Sequence, residues 1–189
     1  EFRRVLFRSL GVLGVMGPLA TASFMNQVIA LSPAKNDQEH IPMFIRNIPQ
    51  IPDRTKFLMG LEDENPFFEL KKGFKELTSL GVSCIVIPCN TAHYWYDALT
   101  KNADVHTISI VKSVIKQVKA TGKQKVGILA TTATLNMGIY QNAFKQHNID
   151  FVEPGYEYEV TRPKTFKDLF EPGYLKDIDV HLIEDNEAR

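Results

Sequence analysis

Residues 82–99, VSCIVIPCNTAHYWYDAL, run from an apolar segment through a cysteine into a stretch of helical character. The apolar segment, 82–88, is nearly continuous, which is typical of a strand buried on both faces of a parallel sheet. The part from Thr91 to Thr100 predicts a helix. Cys89 stands between the two. We therefore expect a thiol at the carboxyl end of a strand and just ahead of a helix.

The same alternation of strand and helix extends along most of the chain. Strands that alternate with helices indicate an α/β fold with a parallel sheet. A weak internal repeat, LGVLGVMGPLATASF at 10–24 and VGILATTATLNMGIY at 126–140, indicates two related halves, which we place at 10–104 and 105–189. The sequence predicts strands at 10–13, 41–47, 82–88, 105–111 and 125–131, and helices at 21–31, 65–80, 91–100, 111–120 and 135–147.

The composition argues against some classes of function. The chain has 189 residues, with 22 basic and 22 acidic side chains and a formal net charge of zero. A balanced charge argues against a nucleic acid or a membrane surface as partner. The two cysteines, Cys84 and Cys89, lie close together in the sequence, which favours free thiols in a reducing compartment. We therefore expect a cytoplasmic protein.

The first nine residues, EFRRVLFRS, need a separate interpretation. They have no periodic pattern, and they can be back-translated into a common short-read sequencing-library adapter. We therefore expect that residues 1–9 are not native. The alternative is the basic start of a signal peptide, followed by an apolar run. Gly14, Gly17 and Pro18 interrupt that run, which suits a strand and a turn better.

Cys89 is predicted to lie where an open parallel sheet places its chemistry, outside the carboxyl ends of the strands. A helix N-terminus supplies N–H groups and partial positive charge, and both favour a thiolate. Asn90 and Thr91 are good helix caps, and such side chains can also hold a ligand carboxylate. We interpret Cys89 as a nucleophile or an acid–base group. The alternative is a cysteine that is merely buried.

Two neighbours of Cys89 have more than one interpretation. Strand side chains alternate, so we expect Cys84 on the opposite side of the sheet from Cys89, as a core residue. That placement, and the absence of a CxxC pair, argue against a zinc site completed by His93. His93 lies four residues after Cys89. It either orients the thiol or a ligand, or is a helix histidine whose hydrogen bonds are already satisfied.

Two further segments are predicted at the same edge of the sheet. GVLGVMGP, residues 11–18, is not a dinucleotide fingerprint, because its glycines are evenly spaced. A Gly-rich turn still permits close approach to a small anion, and a plain tight turn is the alternative. Asp53 and Arg54 lie in the loop after the second strand. Arginine is the natural bidentate partner of a carboxylate, although a solvated surface arginine is the simpler interpretation.

Three stretches of the chain form a combined signature: LGVLGVMGPLAT at 10–21, NIPQIPDRT at 47–55 and IVIPCNTAHYWYD at 85–97. DQEHIPM at 37–43 is a further match. Together they resemble the aspartate/glutamate racemase family, and specifically its aspartate racemase branch, over Leu10 to about Val152. The resemblance implies two pseudo-symmetric parallel-sheet α/β domains that face one cleft. It also implies a cofactor-independent racemase that interconverts L- and D-aspartate.

The resemblance further implies roles for particular residues. In such an enzyme two cysteines face opposite sides of the substrate. One, as thiolate, removes the α-proton, and the other, as thiol, returns a proton to the opposite face. Cys89 is the implied member of that pair in this chain, and no metal takes part. The implied substrate-binding residues are Met16, Gly17, Asp53, Arg54, Asn90, Thr91 and Lys176, with His93 behind them.

The chain departs from the family pattern in two places. Val15 stands where the family turn has a second glycine. No cysteine follows Cys89, whereas the partner is expected in a Gly-Cys-Thr-Glu segment of the second domain. The tail Gly155–Arg189 matches the family poorly, and Lys164 competes with Lys176 as the substrate-binding lysine. We therefore expect a second domain that is incomplete or divergent after about residue 152, and a chain of poor activity.

Two other functions fit the same residues. One is a one-thiol isomerase or decarboxylase of the same superfamily, and the other is a non-catalytic protein that binds dicarboxylates. For the racemase, the resemblance implies a small dicarboxylic amino acid as ligand and a homodimer as assembly.

Overall fold

Residues 9–15 and 17–153 are described by the structure, a computed structural model. Their strands are β1 Leu10–Gly14, β2 Met43–Asn47, β3 Cys84–Val86, β4 His106–Ile108, β5 Lys125–Gly127 and β6 Asp150–Val152. In this part of the chain they form a four-stranded sheet, ordered β2-β1-β3-β4, and a pair, β5-β6. Every one of these pairings is parallel. The predicted α/β fold with parallel sheets is confirmed.

Helices connect the strands, as the alternating pattern predicts. The α-helices of the described residues are α1 Pro18–Leu31, α2 Arg54–Leu58, α3 Phe67–Ser79, α4 Tyr96–Thr100, α5 Ile110–Thr121, α6 Thr132–Asn136 and α7 Ile139–Gln146. Short 3₁₀ helices lie at Asp37–Glu39 and Thr91–Trp95. Among the described residues, no helix combines the length and the apolar character needed to cross a membrane.

Several elements differ from the prediction, and among them the strands predicted at 105–111 and 125–131 are only His106–Ile108 and Lys125–Gly127. The helix predicted at 135–147 is divided into α6 and α7, because Gly138 has a left-handed φ of 63° that an α-helix does not accept. The strand predicted at 82–88 is only Cys84–Val86. The loop predicted through Arg54 ends earlier, since α2 begins at that residue. No strand was predicted at β6.

The first sheet is covered on both faces, by different helices. On one face Leu13 and Ile85 pack with α3, where Gly73 allows a close approach: a Cβ there would lie 2.7 Å from Leu13. On the other face Val12 and Cys84 form a smaller cluster against α1. Cys89 belongs to the first of these clusters. The two cysteines therefore lie on opposite sides of the sheet, as the alternation of strand residues predicts.

The turn between β1 and α1 depends on two glycines. A Cβ on Gly14 would lie 2.6 Å from the Thr21 hydroxyl and 2.7 Å from Asn47 Oδ1, so only glycine lets α1 cross β1 this closely. Gly17 starts α1 with a left-handed φ of 89°. Val15, which replaces a glycine of the family pattern, is buried in the core below the turn. The turn accommodates this departure by turning the valine inward.

The second sheet has its own core. Val126 and Ile128 pack there against Tyr140 and Phe144 of α7, together with buried side chains of α5. The first sheet includes β4, which pairs with β3. β4 lies after residue 104, where the sequence places the domain boundary. The division of the chain at that residue stays a prediction.

Candidate active site

The carboxyl ends of β1, β2 and β3 lie side by side at one edge of the first sheet, because the three strands are parallel. The chain leaves this edge through Gly17 after β1, through Asp53 and Arg54 after β2, and through Cys89 after β3. α2 contacts both the 3₁₀ helix Thr91–Trp95 and α6. This edge therefore gathers most of the residues predicted for the site, and it lies next to the second half.

Cys89 is largely buried but not sealed, with 8% of its surface exposed. Its backbone N–H donates to the carbonyl of Ile87 at 2.8 Å, so the chain turns sharply after the strand. The helix predicted from Thr91 begins as the 3₁₀ helix and continues as the short α4. The helical segment after Cys89 is therefore shorter and less regular than the helix that the sequence predicts.

Asn90 and Thr91 are both held by side chains of the second half. Oδ1 of Asn90, a residue only 6% exposed, accepts a hydrogen bond of 2.5 Å from the hydroxyl of Tyr140. The Thr91 hydroxyl lies 3.2 Å from that of Thr134, which lies 3.0 Å from that of Thr131. The Asn90 side chain makes no helix-cap bond, so the capping role predicted for it is wrong. These contacts bring the carboxyl ends of β3 and β5 to face each other.

Both ring nitrogens of His93 are occupied by backbone groups. Nε2 accepts a hydrogen bond of 3.0 Å from the N–H of Ile110, and Nδ1 lies 2.7 Å from the carbonyl oxygen of Cys89. A nitrogen that accepts is unprotonated, so Nδ1 carries the proton and the ring is neutral. Burial lowers the pKa of His93, while the bond to the Cys89 carbonyl opposes that shift.

Of the two interpretations of His93, this geometry favours the satisfied histidine. The ring also stacks on Tyr96, with 5.5 Å between ring centroids. His93 joins the Cys89 turn to the first residue of α5, and so fixes the backbone that carries the thiol.

Arg54 is not a surface side chain: it is 1% exposed, so the solvated-arginine interpretation is wrong. It is the first residue of α2. Asp53 caps that helix, because its Oδ1 accepts a hydrogen bond of 3.0 Å from the N–H of Lys56. Asp53 therefore starts the helix that carries Arg54. A guanidinium is buried only where polar or charged groups can meet it, which suits a site for anions.

Sequence reasoning missed residues of the second half: Tyr140 and Thr134, which contact Asn90 and Thr91, and Thr131, which contacts Thr134. Thr131, Thr134 and Tyr140 follow β5 as residues 15–24 follow β1, and they lie within the internal repeat. The repeat places the carboxyl end of β5 in the same role as that of β1. Aligned residue by residue, however, the repeat pairs Met16 and Gly17 with Thr132 and Ala133, so it indicates the segment after β5 and not Thr131 or Thr134 individually.

Some predicted residues cannot be placed. Met16 and Lys176 lie outside the described residues, and so do Lys164 and the tail from Gly155. Within the described ranges, no group of three or more His, Cys, Asp or Glu side chains is arranged to hold a metal ion.

The thiol at the carboxyl edge of a parallel α/β sheet, flanked by an amide and a hydroxyl and faced by a second half, lies where open parallel sheets bind their ligands. The chain belongs to the Asp/Glu/hydantoin racemase family, whose model matches residues 13–164. The resemblance drawn from the motifs is thereby confirmed.

Individual relatives agree with this family. The chain is 33% identical over 144 residues to the broad specificity amino-acid racemase RacX of Bacillus subtilis, which is 72% of this chain and 60% of that protein. A glutamate racemase of Persephonella marina is 31% identical over 72 residues, 37% of this chain and 28% of that protein. The chain therefore spans less than two thirds of the length of each of these relatives.

Solved structures have the same fold. The aspartate racemase of Picrophilus torridus superposes with a TM-score of 0.69 at 31% identity, over 77% of this chain and 62% of that one. An aspartate racemase homologue of Pyrococcus horikoshii superposes with a TM-score of 0.65 at 22% identity, over 79% of this chain and 65% of that one, which bears on the fold alone.

Proposed function

We propose that the protein is an amino-acid racemase that acts on aspartate, with Cys89 as one of its two proton-transfer groups. The observation that carries the proposal is the position of Cys89, which lies at the sheet edge and is followed by Asn90 and Thr91, both held from the second half. The aspartate racemase of Picrophilus torridus, at 31% identity, supports the choice of substrate.

The chemical difficulty is the weak acidity of the α-carbon. A thiolate at Cys89 removes the α-proton and becomes a thiol, while the electron pair of the broken C–H bond passes into the α-carboxylate as an enediolate. Donors from Asn90 and Thr91, with Arg54, stabilise the charge that develops on the carboxylates. Met16, Gly17 and Lys176 complete the proposed binding site, as the resemblance implies.

Inversion needs a second proton donor on the opposite face of the enediolate. Cys84 does not fill that role, because it lies on the other side of the sheet in a separate apolar cluster. No cysteine follows Cys89 in these 189 residues. We therefore propose that this chain exchanges the α-proton of aspartate with solvent faster than it inverts aspartate.

Broad specificity is the second candidate, and the RacX relative at 33% identity supports it. In that case neutral amino acids exchange as fast as aspartate. The buried Arg54 favours acidic side chains, and for that reason aspartate is the preferred proposal.

The proposed assembly is a cytoplasmic homodimer. Large apolar side chains are exposed on α1 and β2, among them Leu19, Leu31 and Phe44. An apolar surface of this kind suits an interface between copies. Sedimentation at several concentrations tests it: a purely monomeric chain at high concentration contradicts the dimer.

The test of the proposed function follows the α-proton by NMR in deuterated water. L-aspartate, D-aspartate, L-glutamate and L-alanine are each incubated with the chain and with buffer alone. Because Cys89 meets the substrate from one face, we expect loss of the α-proton from one enantiomer of aspartate, with glutamate and alanine slower. Equal rates for alanine and aspartate favour broad specificity. No loss from any of them, while aspartate shields Cys89 from alkylation, makes the protein a binder and contradicts the racemase.

A further inference from the structure

Tyr140 joins the core of the second half to the candidate site. It is fully buried, with 0% of its surface exposed, among apolar side chains that include Phe144, with 6.3 Å between the two ring centroids. A phenol buried in apolar surroundings must direct its hydroxyl to a polar partner. That partner lies outside the second core: it is Asn90, the residue that follows Cys89.

The contact fixes which end of the Asn90 amide can meet a ligand. The Tyr140 hydroxyl donates to Oδ1 at 2.5 Å, so the acceptor end of the amide is occupied. The donor end, Nδ2, carries two N–H groups, and a carboxylate is the natural acceptor for them. Without the hydroxyl the amide can rotate by half a turn, which presents an oxygen to an anion in place of two donors.

We propose that Tyr140 is a positioning residue for substrate recognition, whose hydroxyl holds the Asn90 amide with its N–H groups toward the carboxylate of an amino acid bound beside Cys89. The assignment rests on the proposed function, because it supposes that a carboxylate binds there. It adds a residue of the second half that acts through Asn90 and does not itself touch the substrate.

Tyr140→Phe is the substitution that separates this role from packing. It keeps the buried ring and removes one oxygen atom. Tyr96→Phe is the control, since the Tyr96 hydroxyl also donates a hydrogen bond, but to the Thr107 carbonyl at 2.6 Å and not to Asn90. Each variant loses one hydrogen bond, buried at Tyr140 and partly buried at Tyr96, so we expect Tyr96→Phe to cost no more stability than Tyr140→Phe. Only Tyr140→Phe alters the orientation of the Asn90 amide.

The readout is the concentration of aspartate that halves the rate at which iodoacetamide alkylates Cys89, followed by mass spectrometry of the Cys89 peptide. We expect Tyr140→Phe to need roughly tenfold more aspartate, the loss of about one charged-group hydrogen bond. Tyr96→Phe should stay within about twofold of the unsubstituted chain, a difference too small to count as a lost contact. Without aspartate the alkylation rate should be the same in all three chains.

The outcomes separate the two proposals. If aspartate protects the unsubstituted chain and Tyr140→Phe equally, the positioning role is overturned and the proposed function stands. If aspartate does not protect the unsubstituted chain, the proposed function falls and this assignment falls with it. Should Tyr140→Phe fail to fold, as judged by circular dichroism, the side-chain NH₂ signals of Asn90 in the ¹⁵N-asparagine-labelled chain decide. A shift of those signals on addition of aspartate supports the role, and unchanged signals overturn it.

Discussion

Cys84 and Cys89 lie in one short segment of the chain, yet the fold places them in separate clusters on opposite sides of the sheet. Cys84 is in the middle of the sheet, in β3, with 0% of its surface exposed and apolar neighbours from β1. Burial raises the pKa of its thiol, against an interaction with the backbone of Ile108 that lowers it. Cys89 lies past the end of the same strand, in the apolar cluster of the other face, where Asn90 follows it and His93 holds its backbone carbonyl.

The comparison shows that position relative to the end of β3, more than burial, distinguishes Cys89 from Cys84. Both side chains are buried, so exposure alone would assign them the same structural role. Only Cys89 lies at the edge where the two halves meet. Thiol reactivity, stability and proton exchange can each show whether the two cysteines differ in this way.

The largest expected effect is on thiol reactivity. In the folded chain, iodoacetamide should alkylate Cys89 roughly a hundredfold faster than Cys84, because a fully buried thiol of raised pKa reacts only when the structure opens. Mass spectrometry of the two cysteine peptides measures both rates in one sample. In urea the two rates should converge, which serves as the control. Equal rates in the folded chain would remove the contrast.

The next effect concerns His93, which joins the Cys89 carbonyl to the Ile110 N–H. His93→Phe keeps an aromatic ring but leaves the Cys89 carbonyl and the Ile110 N–H without their partner. We expect a loss of about 1–3 kcal/mol in the free energy of unfolding. Urea denaturation measures it. His93→Gln, which can restore part of this hydrogen bonding, should recover some of the loss. If His93→Phe has the same free energy of unfolding as the unsubstituted chain, the hydrogen bonds of His93 do not contribute to stability.

The burial of His93 also predicts how the free energy of unfolding depends on pH. Burial lowers the pKa of His93 in the folded chain below its unfolded value of about 6.5. Below about pH 6.5 the unfolded chain therefore binds the proton more readily, so the free energy of unfolding falls as the pH decreases. Above that value this contribution is constant. Denaturation at several pH values should show a smaller decline for His93→Phe than for the unsubstituted chain, and identical declines would contradict the prediction.

The smallest expected effect compares the two cysteines by stability alone. Cys84→Ser places a hydroxyl in an apolar cluster, and we expect it to cost about 1 kcal/mol more than Cys84→Ala. Cys89 also belongs to an apolar cluster, but it is 8% exposed past the end of the strand, so the difference between Ser and Ala there should be smaller. Thermal denaturation of the four variants measures both differences. A larger difference between Ser and Ala at position 89 than at position 84 would contradict this prediction.

Much of this arrangement could be predicted from the sequence. The continuous apolar run before Cys89 fixed the parallel strand, and side-chain alternation placed Cys84 on the other face. The glycines of the first turn were singled out correctly, since Gly14 and Gly17 are both required by the path of β1 into α1. Such features are local, because each depends on a few neighbouring residues.

The rest depends on contacts between residues far apart in the chain. Nothing local to Asn90 indicates that its amide meets Tyr140 rather than capping a helix. The burial of Arg54 is likewise set by packing around α2 and not by the loop that precedes it. His93 has two acceptable interpretations until Ile110 is placed against its ring. Local patterns therefore identified the candidate residues, whereas their hydrogen-bond partners and burial depend on tertiary contacts.

The assignment of Cys89 as the acid–base thiol is tested most directly by the rate of α-proton loss from aspartate in deuterated water, measured for the unsubstituted chain, Cys89→Ala and Cys84→Ala. We expect Cys89→Ala to reduce the exchange to the buffer rate and Cys84→Ala to retain most of it, provided that both variants are folded by circular dichroism. Exchange that survives in Cys89→Ala and disappears in Cys84→Ala would contradict the assignment.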